Sequence, residues 1–309
     1  VKYDIMGDIH GCAKTLRALL VKLGYELING VYRHSEREVI FLGDFIDRGP
    51  HQKEVINIVR PMIETGMALS VMGNHEFNAI AYATYDEDKK DYLRKHNLKN
   101  DNQHKAFLSE YTNEEEYKDV ICWFKTLPLW LELDGLNIVH ACWEESAINK
   151  IKSKYSGMNE LSYQFMKNAS TEDEWEFEAV ETLLKGKEIP LPNGNHFHDK
   201  DNNIRHNIRI KWWDNDSRTY KDLFMGPESA RTHIPNDEVE GDHLIDYRHD
   251  QPPLFLGHYW LHGTPEMLAS NIACLDYSVA KPRGKLVAYQ WSGEKTICNE
   301  NFVYVERLE

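Results

Sequence analysis

A chain of 309 residues with 41% hydrophobic and 11% aromatic content can build a substantial core, which excludes a disordered chain. Its net charge of −14 excludes a broad basic face for long nucleic acid, because neutralising phosphates needs clustered Lys and Arg. Five widely spaced cysteines with no CxxC pair, no apolar run of membrane-spanning length and no basic-then-apolar leader predict a cytoplasmic chain with no membrane partner.

Taken in chain order, five short β-rich runs each end in polar residues of metal-ligand type. The run Lys2 to Met6 leads into Gly7-Asp8-Ile9-His10. An apolar stripe at Leu16, Leu19, Leu20 and Leu23 then predicts a helix ending before Gly24. Glu38 to Leu42 leads into Gly43-Asp44, and Val55, Ile58, Val59, Met62 and Ile63 predict a second helix, kinked or shortened by Pro61 and ended by Gly66. Leu69 to Met72 leads into Gly73-Asn74-His75-Glu76.

Residues 77–125 are polar and helix-compatible, predicting helices that flank a sheet, with the acidic run Glu114 to Glu116 as a helix start or a solvated face. Leu136 to Val139 leads into His140, and Pro253 to Leu256 leads into Gly257-His258. Between these two tips the pattern is harder to read: a helix is predicted near Glu174 to Leu184, followed by a Pro, Asn, Gly and His-rich run from Pro190 to Asn207. Lys285 to Trp291, a Ser292-Gly293 turn, Lys295 to Cys298 and Phe302 to Val305 predict a terminal antiparallel hairpin.

The fold class is α/β. Residues 1–309 are expected to form one domain, with a core of 1–145 and 251–309 and an insertion or cap at 146–250 lying over the site. In such sheets ligands bind outside the carboxyl ends of the strands, so the five tips can converge on one crevice. Asp8, His10, Asp44, Asn74, His140 and His258 then supply mixed oxygen and imidazole ligation for two metals, with Asp44 shared between them. Two such ions can hold a bridging hydroxide and clamp a phosphoryl group during in-line displacement. His75 cannot easily point the same way as Asn74 and is assigned as general acid; Asp47 orients it and raises its pKa, and Arg48 grips phosphate oxygens through its planar fork.

Gly7-Asp8-Ile9-His10-Gly11, Gly43-Asp44-Phe45-Ile46-Asp47-Arg48-Gly49 and Gly73-Asn74-His75-Glu76 together resemble the three signature motifs of the calcineurin-like metallophosphoesterases. Asp47-Arg48-Gly49 is most similar to the branch of the PPP-type serine/threonine protein phosphatases and symmetrical diadenosine tetraphosphatases. The resemblance implies a central β-sandwich flanked by helices in four layers. It also implies a first metal on Asp8, His10 and Asp44, a second on Asp44, Asn74, His140 and His258, and an acid pair of His75 with Asp47. Three features depart from the pattern: Cys142-Trp143 after His140-Ala141, Tyr259-Trp260 after His258, and no motif that singles out a second phosphate-binding Arg among Arg205, Arg209 and Arg218.

Taken singly these motifs are weak, since a lone Asp after Gly more often caps a helix. Their joint occurrence in order, each at a strand end, carries the reading. The expected function is dinuclear, metal-dependent phosphoester hydrolysis, with Mn as the preferred ion and Fe, Zn, Co or Ni as alternatives. The substrate is a nucleotide such as diadenosine tetraphosphate or a phosphoprotein, and Trp143, Tyr259 and Trp260 are candidates to stack a nucleobase. The competing reading is a catalytically silent phosphate-sensing or scaffold protein. His196, His198 and His206 are expected in an exposed polar loop rather than a metal site.

Overall fold

The computed structural model describes residues 1–156, 159–198, 204–239, 245 and 247–309. Period-two alternation governs its centre. Strands β1 (Lys2–Met6), β2 (Arg37–Phe41) and β3 (Ala68–Ser70) run parallel, as their registers Met6 opposite Phe41 and Phe41 opposite Ser70 show. A second sheet is built from β4 (Trp130–Leu133), β5 (Leu136–Val139), β6 (Leu254–Leu256) and β7 (Ile272–Cys274), in the order β7-β6-β5-β4. In it β5, β6 and β7 are mutually parallel and β4 is antiparallel. The first sheet is completed by β8 (Asp276–Tyr277), β9 (Lys285–Trp291) and β10 (Phe302–Glu306), all antiparallel to their partners, with β9 lying between β1 and β10.

Successive side chains leave opposite faces of a strand, so each sheet has two apolar faces to cover. Ile5, Ile40, Leu42 and Val71 of the first sheet meet Leu136, Ile138, Phe255 and Ala273 of the second in one buried cluster between the sheets. Met6, Val39 and Phe41, and on the second sheet Val139, Leu254 and Leu256, turn the other way into a larger cluster shared with the helices. The result is two sheets sandwiched between helical layers.

Helix α1 (Ala13–Lys22) buries Leu16, Leu19 and Leu20 completely, each worth roughly 1.5–3 kcal/mol. Helix α2 (Gln52–Glu64) buries Val55, Ile58, Val59 and Met62 and is not shortened at Pro61: it continues to Glu64 and stops before Gly66, whose φ is 72°. Pro61 gives up the ladder bond to Asn57 O, and the helix continues because Val59 and Met62 on either side of it are buried in the core.

Residues 77–125 supply α3 (Asn74–Ala83), α4 (Leu98–Glu110) and α5 (Glu114–Lys125), with a short pairing of Tyr85–Asp86 against Asp91–Tyr92 between α3 and α4. The side chain of Asn113 accepts the N–H groups of Glu115 and Glu116, so the acidic run is a helix start beside the positive end of the dipole. The terminal hairpin pairs β9 with β10 only. Lys295 to Cys298 is not a strand, because residues 292–301 form the connection and Cys298 N–H donates to the Tyr289 hydroxyl at 3.0 Å rather than to a ladder.

The expected insertion 146–250 takes in α6 (Glu145–Lys154) except its first residue, α7 (Tyr163–Ala169) and α8 (Trp175–Lys185), then Glu188–Pro190 paired antiparallel with Asn207–Arg209. Residues 199–203 of the polar run from Pro190 to Asn207 lie outside the described residues. Ala141 N–H donates to Leu183 O at 2.9 Å, tying α8 to the chain just beyond β5.

Candidate metal centre

The strand tips converge at the carboxyl ends of β1, β2, β5 and β6 and at the start of α3. To turn sharply there, His10, Asp44 and His258 adopt left-handed backbone conformations, with φ of 47°, 51° and 72°. A side chain with Cβ tolerates that region only where neighbouring contacts hold it. The holding bonds are present: Ile9 and His10 N–H both donate to Asp44 O at 3.1 and 2.8 Å, and Gly257 N–H donates to His140 O at 2.8 Å. Two glycines are required by close approach. A Cβ at Gly43 would lie 2.2 Å from Gly73 N, and one at Gly257 would lie 2.1 Å from Asp8 Oδ1.

Asp8, His10, Asp44, Asn74, His140 and His258 are all buried and mutually close. Asp44 Oδ2 lies 3.3 Å from His140 Nε2 and 3.7 Å from His10 Nε2. Asn74 Oδ1 lies 3.2 Å from His140 Nε2 and 2.9 Å from His258 Nδ1. Asp8 Oδ2 accepts the His258 N–H at 3.1 Å. The outer nitrogens of two rings are fixed by carbonyls: His10 Nδ1 by Ile46 O at 3.0 Å and His140 Nδ1 by Leu42 O at 2.6 Å. This turns each Nε2 inward, the arrangement by which a backbone carbonyl orients an imidazole ligand.

The electrostatics call for a cation. Burial, reinforced by Asp276 and Asp44, holds the Asp8 carboxyl well above its usual range. Burial alone would lower His140, yet the Asp44 charge and hydrogen bond, with Asp8, raise it to about 10. Burial, with the His75 and Arg48 charges, lowers His10 to about 3, and its buried Nε2 has no hydrogen-bond partner. An unpartnered imidazole nitrogen beside two buried carboxylates fits a metal ion, which would satisfy both. Among the described residues two groups have ligand atoms within 4.8 Å of one another: His10, Asp44 and His75, and Asp44, His140 and His258. They share Asp44.

Beside this cluster, Asp47 Oδ2 meets His75 Nδ1 at 2.6 Å, and His75 N–H donates to Asp44 Oδ1 at 3.0 Å. Burial lowers the His75 pKa, but the Asp44 charge and the hydrogen bond and charge of Asp47 outweigh it, so the group is raised. Arg48 is exposed, with its guanidinium 4.2 Å above the Trp260 ring. Of the three candidate arginines, Arg209 reaches the site, with Nη1 donating to His258 Nε2 at 3.1 Å and Nη2 to Glu188 Oε1 at 3.2 Å. Arg218 instead donates to Ser217 O at 3.1 Å and to Asn215 O, and Arg205 lies on an exposed two-residue strand.

Two of the three aromatic candidates for stacking a base do not present a face. Trp143 is buried against Tyr247, and Tyr259 is buried with its hydroxyl accepting Trp212 Nε1–H at 3.0 Å, because both rings fill space behind the tips. Trp260 alone is partly exposed, and its ring carries two cations, the Arg48 guanidinium at 4.2 Å and Lys281 Nζ at 4.7 Å. His196, His198 and His206 are exposed, with His196 5.8 Å from each of the other two rings, and they belong to neither ligand group.

Three residues given no role in the sequence reading support the site. Glu76 is fully buried and accepts the N–H groups of Asp44 (2.8 Å), Phe45 (2.8 Å) and Gly73 (3.0 Å), stitching two tips together. Gln52 Oε1 accepts Asp47 N–H at 2.7 Å. His104 Nδ1 lies 3.0 Å from the other oxygen of Asp47. Glu76 stands within a quoted motif and Gln52 four residues after Arg48, so adjacency could have flagged them; the sole signal for His104 was its spacing of three from Phe107 on a polar helix.

The sequence profile of the calcineurin-like phosphoesterases matches residues 1–280. A bis(5'-nucleosyl)-tetraphosphatase PrpE, designated asymmetrical, from Oceanobacillus iheyensis is 35% identical over 154 residues, which are 48% of this chain and 60% of that protein. A protein of the same designation from Halalkalibacterium halodurans is 38% identical over 155 residues, again 48% and 60%. The match thus spans less than two thirds of these relatives. A protein serine/threonine phosphatase from Saccharomyces cerevisiae shares the fold at a TM-score of 0.52 and 14% identity, covering 100% of this chain and 81% of that one. With nine-tenths of its length under one family profile and that family's motifs at its strand tips, this chain belongs to the calcineurin-like phosphoesterases.

Proposed function

We propose that the chain is a phosphoester or phosphoanhydride hydrolase that uses two divalent metal ions and acts on a nucleotide of the diadenosine tetraphosphate kind. The observation that carries this is the pair of ligand groups sharing Asp44, with the His75–Asp47 pair alongside. His75 falls in one of those groups, but its Nδ1 is committed to Asp47; we therefore give its place on the first metal to Asp8 and keep His75 as the acid. When bound, the metals supply Lewis-acid polarisation of the phosphoryl oxygens and an activated water. Oxygen-rich sites with imidazole suit Mn, Fe and Zn, with Co or Ni tolerated, and we assign Mn.

The protein residues divide the remaining work. Arg48 and Arg209 bind non-bridging oxygens from two sides of the cleft. Asp47 accepts the His75 Nδ1–H, and its charge favours the doubly protonated ring, whose Nε2–H is the proton given to the leaving oxygen. The segment 146–250 acts as a cap that brings Arg209 to the cleft. Support for a nucleotide comes from the relatives' designation and from Trp260, a partly exposed indole already holding Arg48. The five cysteines are all free, which supports a reducing, cytoplasmic setting, and no described helix is long and apolar enough to cross a membrane.

The test is to assay protein loaded separately with each of Mn, Fe, Zn, Co and Ni against diadenosine tetraphosphate, a phosphoserine peptide and an aryl phosphate. Hydrolysis of the dinucleotide to unequal nucleotides is expected. Turnover of the peptide alone would replace the nucleotide with a phosphoprotein, and no turnover of any ester would favour the silent phosphate-sensing or scaffold reading.

A further inference from the structure

We propose that His104 is a positioning residue for the acid pair, holding the Asp47 carboxylate from the side opposite His75; the inference rests on the acid-pair reading above. His104 Nδ1 lies 3.0 Å from Asp47 Oδ1 and 3.3 Å from Oδ2, while His75 Nδ1 takes Oδ2 at 2.6 Å. One carboxylate is thus clamped between two imidazoles, with its own backbone N–H held by Gln52.

The clamp comes from α4, which otherwise has little to bury: His104 and Phe107 are its buried side chains. The same helix reaches the loop a second time, where Glu110 accepts the N–H groups of Gln52 at 2.6 Å and Lys53 at 2.9 Å. Two contacts from one rigid helix therefore fix the segment that carries Asp47 and Arg48, both of which sit in left-handed conformations with φ of 67° and 68°. Packing does not account for an imidazole at this position. His104 stacks on Phe107 with ring centroids 4.8 Å apart and lies 5.3 Å from Tyr82, an aromatic pocket in which its buried Nε2 finds no partner. An apolar side chain would fill that pocket without an unsatisfied nitrogen. What an apolar residue could not do is donate to Asp47. Without that donor one Asp47 oxygen loses its fixed partner, the carboxylate can rotate, and the short bond to His75 loosens.

The test compares His104→Asn, which keeps a donor at the Nδ1 position, with His104→Leu, which is of comparable size and has no donor. Both are measured as Mn-loaded full-length protein on phenyl phosphate, whose leaving group needs a proton. The expected result for His104→Leu is a kcat about 10-fold lower with KM unchanged, and His104→Asn restores most of the loss. The double variant Asp47→Asn/His104→Leu should be no slower than Asp47→Asn. In metal-free protein the downfield proton of the His75–Asp47 bond should persist in His104→Asn and broaden or shift in His104→Leu. Equal kcat for the two variants, or a double variant slower by the full His104→Leu factor, overturns the proposal. If Asp47→Asn itself retains wild-type kcat, the acid pair falls and the inference with it; if Asp47→Asn is slow while His104→Leu is not, only the inference falls.

Discussion

Gly257→Ala places one methyl group directly against a proposed metal ligand, which makes its effect calculable. The added Cβ would sit 2.1 Å from Asp8 Oδ1, where ordinary contact begins near 3.4 Å, so the carboxylate must retreat by more than an ångström. Asp8 is fully buried, and its oxygens accept the His258 N–H at 3.1 and 3.4 Å. Retreat weakens that bond to a charged acceptor, worth roughly 1.5–3 kcal/mol, and displaces the carboxylate from the metal. Disturbing the contacts that place a ligand typically costs roughly 10- to 100-fold in metal affinity, so Mn affinity should fall by that factor. Gly263→Ala is the control: its φ is +87° and a Cβ there meets nothing within 4 Å, so it costs left-handed strain of about 1–2 kcal/mol and leaves the site alone. Isothermal titration with Mn, alongside melting of the metal-free proteins, separates the two effects. Wild-type Mn affinity in Gly257→Ala would refute the placement of Asp8 at the metal.

Asp47→Asn should lower kcat by about 100-fold on a phosphoserine peptide or phenyl phosphate, and by less on a dinucleotide, whose phosphate leaving group is a weaker base and depends less on the acid; Mn affinity should not change, and steady-state kinetics with a metal titration checks both. Glu176 is a fully buried side chain whose Oε1 accepts Lys154 Nζ at 2.6 Å, the Tyr155 hydroxyl at 2.7 Å and Asn168 Nδ2 at 3.0 Å. Burial raises its pKa, but these bonds outweigh burial and hold it at about 2, below the ordinary 4.5. The stability it lends, up to about 3 kcal/mol, is complete above pH 4.5 and is lost as pH falls toward 2. The Tm gap between wild type and Glu176→Gln should therefore close on acidification, and a gap constant from pH 6 to pH 3 would contradict the assignment. Trp260→Ala removes the surface on which Arg48 rests; KM for diadenosine tetraphosphate should rise several-fold more than KM for phenyl phosphate, and equal rises would argue against a base or phosphate-chain contact there.

What could be read along the chain was whatever nearest neighbours encode. The stripe at Leu16, Leu19 and Leu20 folded into α1, and Asp8, Asp44, Asn74, His140 and His258 announced themselves by sitting directly after β-rich runs. Pro61 misled as a stop because burial of Val59 and Met62 beside it carries the helix on to Glu64 despite the lost ladder bond. Lys295 to Cys298 misled because alternation marks a segment able to pair, and the edge of β9 was taken by Phe302–Glu306 instead. Trp143 and Tyr259 misled because closeness in sequence to His140 and His258 says nothing about which way a ring turns, and here both turn into the core.

Local sequence alone determined the strand tips, the two apolar stripes and which residues are proposed as ligands, since a strand that ends in Gly-Asp or Gly-His presents its polar groups within a few residues. Tertiary structure alone decided which arginine enters the cleft, which aromatic ring stays partly open, and that α4 holds Asp47 through His104 and braces its loop through Glu110. Those contacts join residues 49 to 58 positions apart, and a linear pattern carries no signal for side chains brought together only when separate layers pack.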